Sequence, residues 1–336
     1  MKIDGGIPLD LTEAGSGAGD LEAGGYSGGW TAETNHDPFL PLTLAAEHTS
    51  TLELGTSIAV AFARNPMLLA NVGYDLQKYS GGRFMLGLGS QIKPHITKRF
   101  SMEWSKPAAR MREMIEAIRA IWDCWDGDGT INFRGDFYSH TLMTPFFNPG
   151  PNPHGQAKIF LAAVGELMLE VTGEVADGWI SHGFTTPSYL HDVALPAIGR
   201  GAAKGGRDAS EIEVSLPAFI VTGFTEEEMA AAATGTRQQI AFYGSTPAYR
   251  GVLEHHGWGD AQTELNTLSK RGEWEAMGDL IDDTMLDEFA VVAEPDQVAA
   301  GLSARFGGAV DRVMFYAPYK SDPERWRPVV DQILAV

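Results

Sequence analysis

Leu52-Glu53-Leu54-Gly55-Thr56-Ser57-Ile58-Ala59-Val60-Ala61 is a nearly continuous apolar run. A helical pattern over 65–79 follows it. Phe84-Met85-Leu86-Gly87-Leu88-Gly89 is then a second apolar run. Strands buried on both faces read this way, and a helix-length connection joins parallel neighbours. The stretch 52–89 therefore predicts a strand–helix–strand unit, and the rest of the chain is read against it.

Towards the N-terminus, 3–7 and 29–33 are strand candidates and 38–50 is a helix. Towards the C-terminus, 158–162, 178–181, 212–221 and 312–316 complete a set of eight strands. Eight strands alternating with helices fit a parallel sheet, closed or doubly wound, and the count favours a closed (β/α)8 TIM barrel. The clearest helix spans 105–125. Ser105 is its expected cap, Pro107 suits its first turn, and Met111, Met114, Ile115, Ile118, Ile121, Trp122 and Trp125 form one apolar stripe. Two stretches leave the repeat: 127–156 after strand four, rich in Pro and Gly, and 237–285 after strand seven. Neither shows a core of its own, so the chain reads as one domain over 1–336 with two insertions. Seven glycines in 15–29 predict a mobile loop.

The 336 residues are 44% apolar and carry 25 basic against 44 acidic side chains, a net −19. That balance argues against nucleic-acid and anionic-membrane partners. A single cysteine, Cys124, excludes an internal disulfide or a cysteine-based zinc cage. The opening Met1-Lys2-Ile3-Asp4-Gly5-Gly6 lacks the basic-then-apolar order of a secretory signal, and no run approaches the ~18 apolar residues of a membrane span. A soluble cytoplasmic protein is expected.

Most catalytic motifs fail. Gly25-Tyr26-Ser27-Gly28-Gly29 fits G-x-S-x-G, but a strand follows it instead of preceding it. Gly87-Leu88-Gly89 is no complete dinucleotide fingerprint, and no Walker loop or zinc-binding His motif exists. His255-His256 reads as a solvated pair. What remains lies at strand ends, where barrel enzymes carry their chemistry. Strand two ends in 30–36, including Glu33 and His36. Strand three leads to Arg64. Strand four ends in Ser90 and Gln91 with Lys93 and His95 just beyond. Strand five ends in Ala163-Val164-Gly165-Glu166 at the start of a helix, where free N–H groups and the helix dipole suit an anion. From Arg83 to Arg112, seven basic residues face one acid, Glu103, an island in an acidic chain. Lys93, His95, Lys98 and Arg99 follow strand four and suit a polyanionic ligand.

These pieces resemble the bacterial luciferase-like superfamily, and within it the branch using the deazaflavin coenzyme F420. The matching segments, in family order, are Gly29-Trp30-Thr31-Ala32-Glu33, Leu54–Val60, Arg64-Asn65-Pro66, Gly82–Ser90, Leu161–Gly165 and Ala176-Asp177-Gly178-Trp179. The resemblance spans residues 1 to about 200 and is less specific beyond. It implies a TIM barrel with the cofactor across the C-terminal strand ends and hydride exchange at the deazaflavin C5. It also implies a cis peptide at Ser57-Ile58 under the ring, Ser90 and Gln91 beside it, and a phosphate-binding turn at Ala163, Val164 and Gly165, with Glu166 adjoining. Glu33 is the first candidate for proton transfer and His36 the second. Lys93 and His95 are assigned to substrate or cofactor tail, and Arg64 either to the same role or to a structural salt bridge. Thr34 stands where glucose-6-phosphate dehydrogenases of this branch carry histidine, which counts against sugar-phosphate oxidation.

The expected function is an F420-dependent oxidoreductase acting on a small organic molecule. The alternatives are an FMN-dependent monooxygenase of the same fold using oxygen, and a cofactor-binding protein without turnover. The family implies a homodimer, and no metal is expected.

Overall fold

Alternation along each strand decides which side chains enter the barrel. In Arg312–Tyr316, Arg312 packs on Trp30 and Met314 joins the interior cluster, while Val313 and Phe315 pack outward against helices. The computed structural model describes residues 1–320 and 323–334. Its sheet has eight parallel barrel strands: β1 (Lys2–Gly6), β2 (Gly28–Thr31), β3 (Glu53–Thr56), β4 (Phe84–Gly89), β5 (Lys158–Ala162), β6 (Gly178–Ile180), β7 (Glu213–Val221) and β8 (Arg312–Tyr316). Each pairs with the next, and β8 returns to β1 through Lys2↔Arg312, so the sheet closes as the expected TIM barrel.

Three layers fill the interior. The lowest is ionic, with fully buried Arg312 gripping Asp4 through Nε (2.7 Å) and a terminal nitrogen (2.8 Å). Its other terminal nitrogen donates to Glu53 (2.6 Å) and Glu213 (2.9 Å). The middle layer is Trp30, Met85, Phe160 and Ile180, with Trp30 edge-on to Phe160 at 5.6 Å. Gly55 makes room there, since a Cβ would stand 2.5 Å from the Trp30 ring. The top layer opens at the C-terminal strand ends: Gly6 is exposed, and Ala32, Ala162, His182 and Tyr316 are half-buried.

The surrounding helices correct two expectations. The glycine-rich start of 15–29 lies in the helix Leu11–Ala23, capped by Asp10 accepting from the Thr12 N–H (2.9 Å). Its glycines serve packing: a Cβ on Gly15 would meet His48 at 2.6 Å, and one on Gly17 would meet Pro8 at 2.6 Å. Nor does Ser105 cap the long helix. That helix is Pro107–Asp126, and Lys106 precedes it with φ 33° and no capping side-chain bond. A residue before proline is pushed out of the α region, which moves the boundary. The apolar stripe is buried as read.

The excursion after β4 carries a small hairpin pairing Phe133–Arg134 with Ser139–His140. Buried Glu113 anchors it by accepting N–H groups from Asp136, Phe137 and Tyr138 at 2.6–2.8 Å. After β7 the chain forms helices Glu226–Gly244, Arg250–His255, Gly259–Arg271, Trp274–Asp279 and Asp283–Phe289. Ile240, Leu253, Leu265, Met277, Leu286 and Phe289 cluster with Phe219 and Val221 of β7 and with Phe184. The short strand Ala290–Val292 then pairs with β7.

Candidate cofactor and active site

The third strand is interrupted where the site begins. Gly55 is level with Met85 and Ala59 with Leu88, so four residues of one strand run beside three of the other. The extra residue forms a bulge, and the Ser57–Ile58 peptide within it is cis. Neighbours hold it from both sides: the Ser57 N–H donates to the Thr31 carbonyl (2.6 Å) and the Glu33 N–H to the Ile58 carbonyl (3.1 Å). Below, the Thr56 hydroxyl donates to the Gly87 carbonyl (2.6 Å). Ile58 is half-buried over the interior cluster.

Glu33 lies beside this bulge. Its Oε2 accepts the Val60 N–H (2.7 Å) and an Arg64 guanidinium N–H (2.5 Å), and its side chain is 7% exposed. Arg64 also reaches Asp37 (3.2 Å) and the Val60 carbonyl (3.2 Å). The carboxylate therefore ties β2 to the turn after the bulge through one oxygen. His36 is exposed three residues further along.

Past β4, the Ser90 hydroxyl donates to the Gln91 carbonyl (3.1 Å), and Gln91 has φ 57°. Lys93, His95 and Lys98 are exposed in the segment that follows. The basic island divides here. Arg83 fastens the 46–52 segment through Thr49 (2.9 Å) and Leu52 (2.6 Å), Arg112 pairs with Glu174 (3.2 Å), and Arg99 donates to the Thr34 carbonyl.

Past β5, Gly165 precedes the helix Glu166–Val175 with no side-chain cap, and a Cβ added there would meet nothing within 4 Å. The carbonyls before it are taken: Trp179 Nε1 donates to Ala163 (3.0 Å) and the Tyr189 hydroxyl to Val164 (3.3 Å). Glu166 turns along the surface to Arg200 (2.8 Å), away from the helix start. The turn thus presents amide donors with no carboxylate drawn across them, as an anion requires.

Strands six and eight contribute residues that the sequence reading passed over. His182, two residues past β6, stacks on Tyr249 (4.5 Å) and meets Tyr243 edge-on (4.4 Å). The Tyr243 and Tyr316 hydroxyls share a hydrogen bond of 2.7 Å, and Tyr316 stacks on Phe219 (4.8 Å). Burial pulls His182 down to about 4 and, with Tyr243 beside it, lifts Tyr249 to about 12. These groups are neutral through the physiological range. Extending the strand-end rule to strands six and eight finds His182 and Tyr316. Nothing local marks Tyr243 and Tyr249, which the insertion supplies.

Among the described residues no cluster of His, Cys, Asp or Glu could hold a metal, and no helix is long and apolar enough to cross a membrane.

Known proteins are similar to this chain. An uncharacterised protein of Mycobacterium tuberculosis is 59% identical over 314 residues, covering 94% of this chain and 92% of its own. A 5,10-methylenetetrahydromethanopterin reductase of Methanolobus tindarius is 27% identical, covering 90% of each chain. The structure of a coenzyme F420 dependent tetrahydromethanopterin reductase from Methanopyrus kandleri superposes with TM-score 0.79 at 22% identity, over 98% of this chain and 97% of that one. The profile of the luciferase-like monooxygenase family matches residues 5–312, and this chain belongs to that family.

Proposed function

We propose that this oxidoreductase uses coenzyme F420 to exchange a hydride with a small organic substrate. One observation carries the reading: an uncapped helix start after β5 and a bulged β3 stand at the same open end of the barrel. The amides of Val164, Gly165 and Glu166 would hold the cofactor's phosphate. Ser57 and Ile58 would support the ring, with Ser90 and Gln91 at its side. Exposed Lys93, His95 and Lys98 suit the carboxylates of an oligoglutamate tail, which FMN lacks. The coenzyme F420 dependence of the similarly folded Methanopyrus kandleri reductase supports the same cofactor.

When bound, the deazaflavin supplies two electrons as hydride at C5. The chain's part is then to orient the ring, exclude water and move one proton. Glu33 fits the proton role through Oε1, while Oε2 stays on Val60 and Arg64. Arg64 holds that carboxylate and Asp37, so its service is to position. His36 is the second candidate, from an exposed position. The working form in this reading is a cytoplasmic homodimer with no nucleic-acid or membrane partner; sizing chromatography checks the dimer.

The decisive experiment is equilibrium titration with F420 and with FMN. Micromolar or tighter F420 binding, weakened severalfold by Lys93→Glu, is expected. Tight FMN binding without measurable F420 binding would replace the proposal by an oxygen-using monooxygenase. F420 binding with no hydride exchange across a substrate panel would make the chain a carrier.

A further inference from the structure

The ring cluster opposite the bulge is built from neutral groups. His182 Nδ1 accepts the Phe184 N–H at 3.0 Å, so the imidazole is fixed as the tautomer with its proton on Nε2. That nitrogen makes no hydrogen bond among the described residues. The Tyr249 hydroxyl makes none either, while the Tyr243 hydroxyl bonds to Tyr316 (2.7 Å) and to Gln239. The cation–π contacts among the described residues fall on other rings. His182 and Tyr316 are half-buried inward-facing residues at the open end, and Tyr243 and Tyr249 reach them from the insertion. Aromatic walls with unused donors and no fixed charge favour a flat uncharged ligand carrying an acceptor. They disfavour an anion, which would lose its hydration without a counter-charge.

We propose that His182, Tyr243, Tyr249 and Tyr316 form the substrate-recognising wall, and that they select a planar, uncharged molecule whose carbonyl-type oxygen accepts the His182 Nε2–H. This deepens the reading above by naming the substrate class, and it rests on that reading for the reaction.

Three probes of one shape test it: 1-indanone, indane and indane-2-carboxylate, each titrated into the full chain by fluorescence or calorimetry. The ketone is expected to bind about tenfold tighter than the hydrocarbon, the worth of one good hydrogen bond, and at least as much tighter than the anion. His182→Asn keeps an acceptor near the Nδ1 position and removes the Nε2 donor; it should bring the ketone down to the hydrocarbon. His182→Gln sets an amide donor near Nε2 and should restore most of the preference. Tyr249→Leu should weaken all three probes. Long-range 1H–15N spectra of the His182 ring should show the Nε2–H tautomer from pH 5.5 to 8, with the Nε2 resonance moving on ketone addition alone. A ketone preference unchanged in His182→Asn, or tightest binding by the carboxylate, overturns the proposal. Repeating the titrations with F420 or FMN present separates the two claims. FMN binding in place of F420 refutes the cofactor reading, while the ketone preference judges the wall by itself.

Discussion

At the N-terminal strand ends, charges of opposite sign are joined in a network. Arg312 donates to Asp4, Glu53 and Glu213, Lys2 to Glu53 (2.9 Å) and Glu213 (3.1 Å), and Lys158 to Glu213 (3.1 Å). At the C-terminal strand ends, Gly165 leaves a helix uncapped and His182 keeps an unused donor. One barrel thus has an end where polar groups are consumed by the fold and an end where they are held back. Consumed groups give stability and uniqueness of register; withheld groups give binding. The contrast is sharper than either end viewed alone, and it assigns each substitution an expected readout.

The largest effect should come from the closed end. Arg312→Met leaves Asp4 buried without its guanidinium and frees Glu53 and Glu213 to repel. Breaking one partner of such a pair costs about 3–5 kcal/mol. Denaturant unfolding should show a midpoint shift of that size, whereas His182→Asn should move it by less than about 1 kcal/mol. Equal shifts from the two would erase the distinction between the ends.

Acid should act on the same end. Burial opposes ionisation of Glu213, but the Arg312, Lys158 and Lys2 bonds overcome it and hold its carboxyl down to about 2. Glu22 is partly buried; the Thr51 N–H and hydroxyl, with the Leu52 and Ser50 N–H groups, hold it to about 2 as well. Both folded values lie below the ordinary 4.5 of the free side chain. Their stabilisation is therefore complete above about pH 4.5 and drains away as pH falls towards 2. Urea unfolding should lose about 2 kcal/mol between pH 6 and 3, less than full linkage because water screens Glu22. Glu213→Gln should flatten this slope and lower the plateau at neutral pH. A slope unchanged by that substitution would place the acid sensitivity elsewhere.

The strands were legible in the sequence for one reason. Buried parallel strands read as unbroken apolar runs, and 84–89, 158–162 and 312–316 match the observed β4, β5 and β8. The helix Leu11–Ala23 was not legible. Its glycines lower helix propensity, and the contacts of Gly15 with His48 and Gly17 with Pro8 that repay them are tertiary. The Gly165 turn was visible because a small-residue turn before a helix is a local pattern. The ring cluster was not: Tyr243 and Tyr316 stand 73 residues apart, and the barrel closure joins them. The packing of the second insertion against the barrel was not legible for a related reason. Its helices are mostly short, and each contributes few residues to a cluster completed by Phe219 and Val221.

The smallest shift in stability comes from the substitution that best separates the two ends. Gly165→Asp places a carboxylate at the one position before Glu166–Val175 where a side chain would cap the helix, and open space receives its Cβ. Aspartate exceeds glycine there by a few tenths of a kcal/mol, so the melting temperature should hold or rise slightly. The same carboxylate would sit on the amides assigned to the cofactor's phosphate. A like charge at that range, in partly excluded water, costs more than a factor of about ten in affinity. F420 binding should fall at least that much while folding is unharmed. A bound capping side chain and a bound anion compete for the same N–H groups. A protein that gains stability and loses its ligand from one added carboxylate has therefore kept those groups free for the ligand. If Gly165→Asp bound F420 as tightly as the parent, the amides would not be the anion's partners, and the open end would have to hold its cofactor by the exposed Lys93, His95 and Lys98 alone.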